Sequence, residues 1–314
     1  MVKYAFVFPG QGSQHIGMGL SLYQNFATAR DVFDKVDNAL NQHLFKLMTE
    51  GSEQELTLTV NAQPAIMAVS MATIEVLKKE FGVDIKKISY VAGHSLGEYS
   101  AACTAGVFSL EDTAKLLRLR GSAMQQAVAQ GIGGMAAVLG LSFQDIDALV
   151  EASSDEKHFC VAANDNTDGQ VVLSGHIAAI EKAIEIAPEF GAKKAVMLPV
   201  SAPFHSPLME PAVKPMAEAL HKTPSNDPQI PLISNFSAMP SLSKEDVIAN
   251  LISQITGTVR WRETMAFLSE NNVTDIIEIG PSKVLSNMVK RSYKEIYTTS
   301  VHTSDDLEQL ANNL

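Results

Sequence analysis

Short, uninterrupted apolar runs that alternate with helical patterns constrain the fold of this chain most. Tyr4-Ala5-Phe6-Val7-Phe8 is closed by Pro9-Gly10-Gln11-Gly12-Ser13, and Ile88 to Ala92 runs straight into a glycine turn. A strand wetted on one face alternates apolar with polar residues, whereas a strand covered on both faces reads as one apolar run. Helical patterns over Asp31 to Leu40 and Gln63 to Lys79 lie between these runs. Buried strands separated by helices predict an α/β fold, with a parallel sheet covered on both faces. The 314 residues are 46% hydrophobic, enough for a core of that kind.

From Gly131 the pattern changes. Met135 to Leu141 reads as a strand, and Ser142 caps a helix through Ala152. His158 to Ala163 and Gln170 to Ser174 read as strands joined by the turn-rich Asn164-Asp165-Asn166-Thr167-Asp168-Gly169. Ile177 to Phe190 reads as a helix and Ala195 to Val200 as a last strand. The order βαββαβ predicts a ferredoxin-like subdomain inserted in a larger domain with a parallel-sheet, α/β-hydrolase-like core. The expected division is residues 1–130 with 199–314 for the large domain, and 131–198 for the insertion. Beyond it, Ile230 to Ser234 and Asp275 to Ile279 read as strands, and Pro281 is expected to open a helix.

Composition excludes several functions. Lys and Arg number 24 against 35 Asp and Glu, a net charge of −11, which gives no general attraction to nucleic acid or to an anionic membrane surface. Two cysteines, Cys103 and Cys160, cannot build a disulfide framework, and a reducing cytoplasm is the simpler setting. The uncharged stretches Leu56 to Ile74 and Gly121 to Gln144 are broken by Asn, Gln, Pro or Gly, short of the roughly 20 apolar residues of a span. Tyr4 to Phe8 is too short for a signal-peptide core. The chain reads as soluble and unprocessed.

The chemistry centres on Gly93-His94-Ser95-Leu96-Gly97, which follows the Ile88 to Ala92 strand and precedes a helical run from Glu98 to Ala105. This is G-x-S-x-G in strand–turn–helix context, a nucleophile elbow. The turn lifts the Ser95 hydroxyl above the sheet edge, and the Leu96 amide is placed to donate to an oxyanion. Without that context, the pattern would be a glycine-rich turn with an idle serine. Serine needs a base, and of eight histidines His205 stands out, between Pro203 and Pro207 just after a strand. A surface-loop histidine is the plain alternative. No acid marks itself as a third member. The gap of 110 residues from Ser95 to His205 spans the insertion, unlike an ordinary hydrolase.

Arg120 is the other conspicuous residue. Ser109 and Asp112 form a capping box for a helix whose apolar stripe is Leu110, Ala114, Leu117, Gly121 and Met124. Arg118 lies with Glu111, Lys115 and Ser122 on the solvated face, but Arg120 neighbours Leu116 and Ala123. A cation beside an apolar face needs a partner or an opening, and a buried salt bridge would satisfy it as well as a ligand. Gly10-Gln11-Gly12 starts like a dinucleotide fingerprint, but His15 takes the third glycine position. No phosphate-binding G-x-x-x-x-G-K-[ST] loop occurs, nor any H-E-x-x-H or C-x-x-C metal spacing.

Seven segments then occur in order: Phe8-Pro-Gly-Gln-Gly-Ser-Gln14, Gln63-Pro64, Gly93-His-Ser-Leu-Gly-Glu98, Arg120-Gly121, the Asn-rich turn before Gln170, Ala202-Pro-Phe-His205, and Gln254 with Val259-Arg-Trp261. Together they resemble the malonyl-CoA:acyl carrier protein transacylase family of fatty acid synthesis, over about Phe6 to Arg291. The resemblance implies ping-pong malonyl transfer through a malonyl-Ser95 intermediate, with His205 as base and the amides of Gln11 and Leu96 as oxyanion hole. It implies that the backbone carbonyl of Gln254 orients His205, which accounts for the missing acid. It gives Arg120 the malonyl carboxylate as partner, Gln63 the acyl pocket, and Asn164 and Asn166 the subdomain cleft. Phe204 resembles the residue that crowds out methylmalonyl groups. It implies coenzyme A thioester as substrate, no metal, no bound cofactor and acyl carrier protein as partner, with the enzyme expected to be a monomer. Thr258 and Asp168 depart from family prolines, which bears on loop rigidity.

Acyl carrier proteins are acidic, so docking calls for a local basic patch on this acidic chain. Lys283, Lys290, Arg291 and Lys294 would gather on one face of the helix expected after Pro281, though a solvated helix end explains them equally. Other functions are an acyltransferase loading polyketide synthase carriers, an acyl-thioester hydrolase, and a non-catalytic docking module.

Overall fold

The computed structural model describes residues 2–200 and 202–311. In chain order the strands are β1 (Tyr4–Phe8), β2 (Tyr90–Gly93), β3 (Gly133–Leu139), β4 (Cys160–Thr167), β5 (Gln170–His176), β6 (Lys194–Met197), β7 (Leu232–Ile233), β8 (Pro240–Ser241), β9 (Asp275–Ile279) and β10 (Tyr297–Val301). One sheet has the order β10-β9-β1-β2-β7-β8. It is parallel from β10 to β7 and closed by antiparallel β8.

The apolar run of β1 is fully buried from Ala5 to Phe8, and its residues divide by twos, as the side-chain period of a strand requires. Phe6 and Phe8 face a core shared with Ile66, Val69 and Leu117, whereas Ala5 and Val7 face Trp261, Met265 and Val289. The helix Thr59–Lys79 is long and apolar enough to cross a membrane by length and composition, but 89% of its most apolar window is buried inside the protein. It is the central core helix.

The second sheet has the order β4-β5-β3-β6, with every neighbouring pair antiparallel. Val171 and Leu173 of β5 pack with Ile146, Leu149 and Ile180 of its own helices. Val172, between them, turns the other way and joins Met135 in the larger core.

Several elements differ from expectation. The expected turn 164–169 shrinks to Asp168-Gly169, because Asn164 and Asp165 pair with Val172 and Val171 in β4. Turn-favouring residue types are overridden by tertiary partners: Asp165 N donates to Val259 O at 3.0 Å, and Val259 N to Ala163 O at 2.8 Å. Thr258 Oγ1 adds a bond to Ala162 O at 2.7 Å. The helix expected to open at Pro281 runs from Val284 to Ser292. Residues 280–283 form a turn fastened by Glu278, whose carboxylate accepts from Ser282 Oγ at 2.6 Å and Ser286 N at 2.7 Å. Lys283 is therefore the residue before that helix, and Lys294 lies beyond its end. The helix expected over 177–190 stops at Ile186 and continues as a 3₁₀ turn over Ala187–Phe190, where Pro188 lacks an amide. Strand β6 ends at Met197, short of Val200. Arg118 is half-buried, with Nη1 donating to Asn61 Oδ1 at 3.0 Å and Nη2 to Gln42 Oε1, and is not on a solvated face.

Asp165 fastens the second sheet to the helix Trp261–Glu270, which packs on the first. It is 1% exposed and accepts Arg262 Nη2 at 2.7 Å and Nε at 3.0 Å. Arg262→Ala strands this carboxylate, so urea unfolding should show a loss of about 3 kcal/mol, and Asp165→Asn a smaller one.

Candidate active site

The elbow is dictated by a backbone crossing. His94 N donates to Phe8 O at 2.9 Å as the chain leaves β2. A Cβ on Gly97 would lie 2.2 Å from that same Phe8 carbonyl oxygen, and one on Gly93 would lie 2.0 Å from the Gly97 carbonyl. Only glycine fits at either position. Between them Ser95 adopts φ 54°, a left-handed conformation that costs a serine about 1 kcal/mol or more. Asn235, just after β7, holds it there: its Oδ1 accepts the Ser95 amide at 2.7 Å and its Nδ2 donates to Gly93 O at 2.7 Å.

His205 is also left-handed, with φ 56°. Its segment is braced by Ser206 Oγ donating to Pro203 O at 2.7 Å, and by a 3₁₀ turn that starts at Pro207. His205 Nε2 lies 2.7 Å from Ser95 Oγ, and Nδ1 lies 2.8 Å from Gln254 O. A carbonyl only accepts, so Nδ1 carries the proton and Nε2 offers its lone pair to the serine. Burial, with the Arg120 charge second, lowers the imidazole pKa to about 3, so the ring is neutral at ordinary pH.

Arg120 is 2% exposed and forms no ion pair among the described residues. Its Nη1 donates to Gln63 Oε1 at 2.9 Å. Its Nη2 reaches Gln254 Oε1 at 2.8 Å and Ser95 Oγ at 3.2 Å. The guanidinium carbon sits 5.6 Å from the centre of the Tyr99 ring. Gln63 is held by Thr59 Oγ1 at 2.8 Å, which in turn donates to Gln11 Oε1 at 2.8 Å. The helix periodicity that put Arg120 beside an apolar face thus puts it under the Ser95 hydroxyl.

Ser95, His205, Arg120, Gln63, Gln11, Leu96, Asn164, Asn166 and Phe204 line one cavity of about 530 Å³. Its walls come from both sheets, with Met135 and Val172 on one side and Val284 and Met288 on another. His94 Nε2 meets Asn166 Oδ1 at 2.8 Å across it, with its ring edge-on to Trp261. Gln254 stands behind the lining and contributes through its carbonyl and its side chain. Lys283, Lys290, Arg291 and Lys294 are exposed and lie outside the cavity, with Arg291 on a separate cleft. Among the described residues no group of three or more His, Cys, Asp or Glu side chains could hold a metal ion.

Sequence reasoning missed the residues behind the site: Asn235, Thr59, Tyr99 and the carboxylate of Glu98. Glu98 is wholly buried, and its Oε2 accepts Gln254 Nε2 at 2.7 Å and Asn235 N at 3.1 Å. The sequence around Glu98 carries no signal that its carboxylate turns inward.

The acyl transferase domain family matches residues 5–309, and the class of protein is therefore acyltransferase. A malonyl CoA-acyl carrier protein transacylase of Bacillus subtilis (strain 168) is 43% identical over 308 residues, 98% of this chain and 96% of its own. The crystal structure of an acyl-carrier-protein-S-malonyltransferase from Bartonella henselae superposes with a TM-score of 0.97 at 50% identity, covering 99% of each chain. A malonyl-transacylase in complex with its holo type II polyketide synthase acyl-carrier protein has a TM-score of 0.95 at 36% identity, covering 99% of this chain and 100% of that one. The chain belongs to the malonyl-CoA:acyl carrier protein transacylase family.

Burial pushes the Glu98 carboxyl up to about 7, against the lowering effect of the Asn235 amide, Gln254 and Arg120. An acid raised in the folded state stabilises fully below its ordinary value of 4.5 and loses that contribution as pH rises through about 7. Urea unfolding near pH 5 and near pH 8 should therefore show wild type losing on the order of 3 kcal/mol relative to Glu98→Gln.

Proposed function

We propose that this protein transfers a malonyl group from malonyl-CoA to the phosphopantetheine thiol of acyl carrier protein by a ping-pong mechanism. The observation that carries this reading is the Ser95 hydroxyl, set between His205 Nε2 at 2.7 Å and the buried, unpaired Arg120 guanidinium at 3.2 Å. A nucleophile beside a cation that has no carboxylate in contact suits an acyl group that ends in one.

In the first half-reaction His205 Nε2 takes the Ser95 proton as Oγ attacks the thioester carbonyl. The oxyanion that forms is assigned to the amides of Gln11 and Leu96. Collapse breaks the carbon–sulfur bond, and the coenzyme A thiolate leaves with the proton from His205. In the second half-reaction His205 takes the proton of the carrier thiol, whose sulfur attacks malonyl-Ser95, and Ser95 recovers its proton from His205. The Gln254 carbonyl stabilises the imidazolium in each step, in place of an acid. The planar fork of Arg120 suits the two oxygens of the malonyl carboxylate. Gln63 holds the guanidinium, Phe204 crowds the α-carbon, and Asn164 and Asn166 form the far wall of the cleft. Coenzyme A enters as substrate, and no resident cofactor is invoked.

The chain reads as a large unit, 1–130 with 199–314, and a ferredoxin-like insertion, 131–198. The order β4-β5-β3-β6 with all pairs antiparallel supports that division, as does the separate apolar core of its helices. For carrier docking the basic residues Lys283, Lys290, Arg291 and Lys294 are proposed, with Lys290 and Arg291 in the last turn of the Val284–Ser292 helix. The helix starts at the cavity, since Val284 and Leu285 line it. Loading of polyketide carriers is a second reading, supported by the carrier-bound structural relative. Transfer rates to fatty-acid and polyketide carriers separate the two.

Intact-protein mass spectrometry after mixing with malonyl-CoA should find the adduct on Ser95 and none in Ser95→Ala. Arg120→Ala should lower malonyl transfer about a hundredfold while acetyl transfer changes little, since a desolvated charge pair is worth roughly 3 kcal/mol. Equal losses would sink the carboxylate assignment. Charge reversal at Lys290 and Arg291 should raise KM for carrier protein at low salt and leave KM for malonyl-CoA unchanged.

A further inference from the structure

Glu98 is a buried carboxylate next to Ser95 that the proposed reaction leaves without a task. It lies in the first turn of the helix Gly97–Thr104, with no exposed surface. The groups around its Oε2 are donors: the Asn235 amide at 3.1 Å and Gln254 Nε2 at 2.7 Å. The second of these matters because a primary amide has two unlike faces, an oxygen that accepts and a nitrogen that donates. The Gln254 side chain is wedged so that each face has a required partner. Its Nε2 donates to Glu98 and to Ser95 O at 3.0 Å, and its Oε1 accepts Arg120 Nη2 at 2.8 Å. Rotated by half a turn, it would set NH₂ against guanidinium, donor against donor. The acceptors around Nε2, with Glu98 Oε2 the nearest ahead of the Ser95 carbonyl and Asn235 Oδ1 at 3.4 Å, rule that orientation out.

We infer that Glu98 is a positioning residue for acyl selectivity: by fixing the Gln254 amide, it gives Arg120 the acceptor that keeps the guanidinium aimed beneath the Ser95 hydroxyl. The same carboxylate oxygen takes the Asn235 amide, and the Asn235 side chain holds the Ser95 amide and the Gly93 carbonyl. One buried atom therefore ties the elbow to the cation. What Glu98 supplies in this arrangement is an acceptor at a fixed point, so a neutral acceptor of the same shape serves. The inference rests on the reading of Arg120 as the carboxylate's partner.

The test is the ratio of kcat/KM for malonyl-CoA to that for acetyl-CoA, measured on the full chain in Glu98→Met, Glu98→Gln and Arg120→Ala. Glu98→Met keeps the bulk and removes the acceptor, and its ratio should fall at least about tenfold, the effect of one misplaced hydrogen bond. Glu98→Gln can turn its amide oxygen to both N–H groups, and its ratio should stay within about threefold of wild type. An unchanged ratio in folded Glu98→Met overturns the inference. A tenfold fall in Glu98→Gln also overturns it, because the role would then belong to the charge, and this arm keeps the inference refutable even if Glu98→Met does not fold. Arg120→Ala separates the two layers: a collapsed ratio there with an intact one in Glu98→Met refutes Glu98 alone. An intact ratio in Arg120→Ala refutes the carboxylate assignment and the inference together.

Discussion

A guanidinium held out of water with no carboxylate in contact with it is the constraint around which this molecule is organised. Removing such a charge from water costs several kcal/mol, and neutral acceptors at both terminal nitrogens offset part of that cost. Arg120 draws on Gln63 from the central helix, Gln254 from the end of the helix Lys244–Ser253, and the face of Tyr99. Each of these groups is itself pinned, Gln63 by Thr59 and Gln254 by Glu98. Neutral acceptors hold the cation directly, and the buried Glu98 carboxyl reaches it only through the Gln254 amide, which leaves the guanidinium with no negative group in contact. The serine and its histidine sit where that group would enter.

The cavity above this cluster exists because two sheets share it. The parallel sheet brings the elbow and Gln11 to the carboxyl ends of β2 and β1, and the antiparallel sheet turns Met135, Val172, Asn164 and Asn166 toward them. Alternation along β5 explains how a small sheet keeps a core of its own while lending Val172 to its neighbour. Asp165 and the backbone of Val259 join the two along β4, so the cleft's far wall is carried by hydrogen bonds as well as by packing.

What was legible in the sequence is what local sterics and periodicity determine. Ser95 could be read because Gly93 and Gly97 flank it at the one spacing that lets the turn close, and Arg120 because helix period sets it among apolar neighbours. The double-faced β1 was legible from its composition alone. His205 was only partly so: prolines marked a stiff segment, but its bond to Gln254 O spans 49 residues of chain. Asn235 and Glu98 meet across 137 residues, and nothing near either one announces the other. The same limit explains the misread Asn164 to Thr167 segment, whose polar types suggest a turn until Val259 and Arg262 arrive to pair with them. Local rules also misplaced the helix after Pro281, because Glu278, on β9, fastens the preceding turn.

Under the proposed mechanism, the left-handed backbone shared by Ser95 and His205 sets stability against function at both residues. Each pays about 1 kcal/mol or more for a conformation that glycine adopts freely. A library selected only for heat resistance would drift toward glycine at both positions, and its most robust members would be inert. The reverse follows for inactive relatives found at the end of a lineage: once the chemistry is no longer demanded, these two sites are where relaxation should first be written into the sequence.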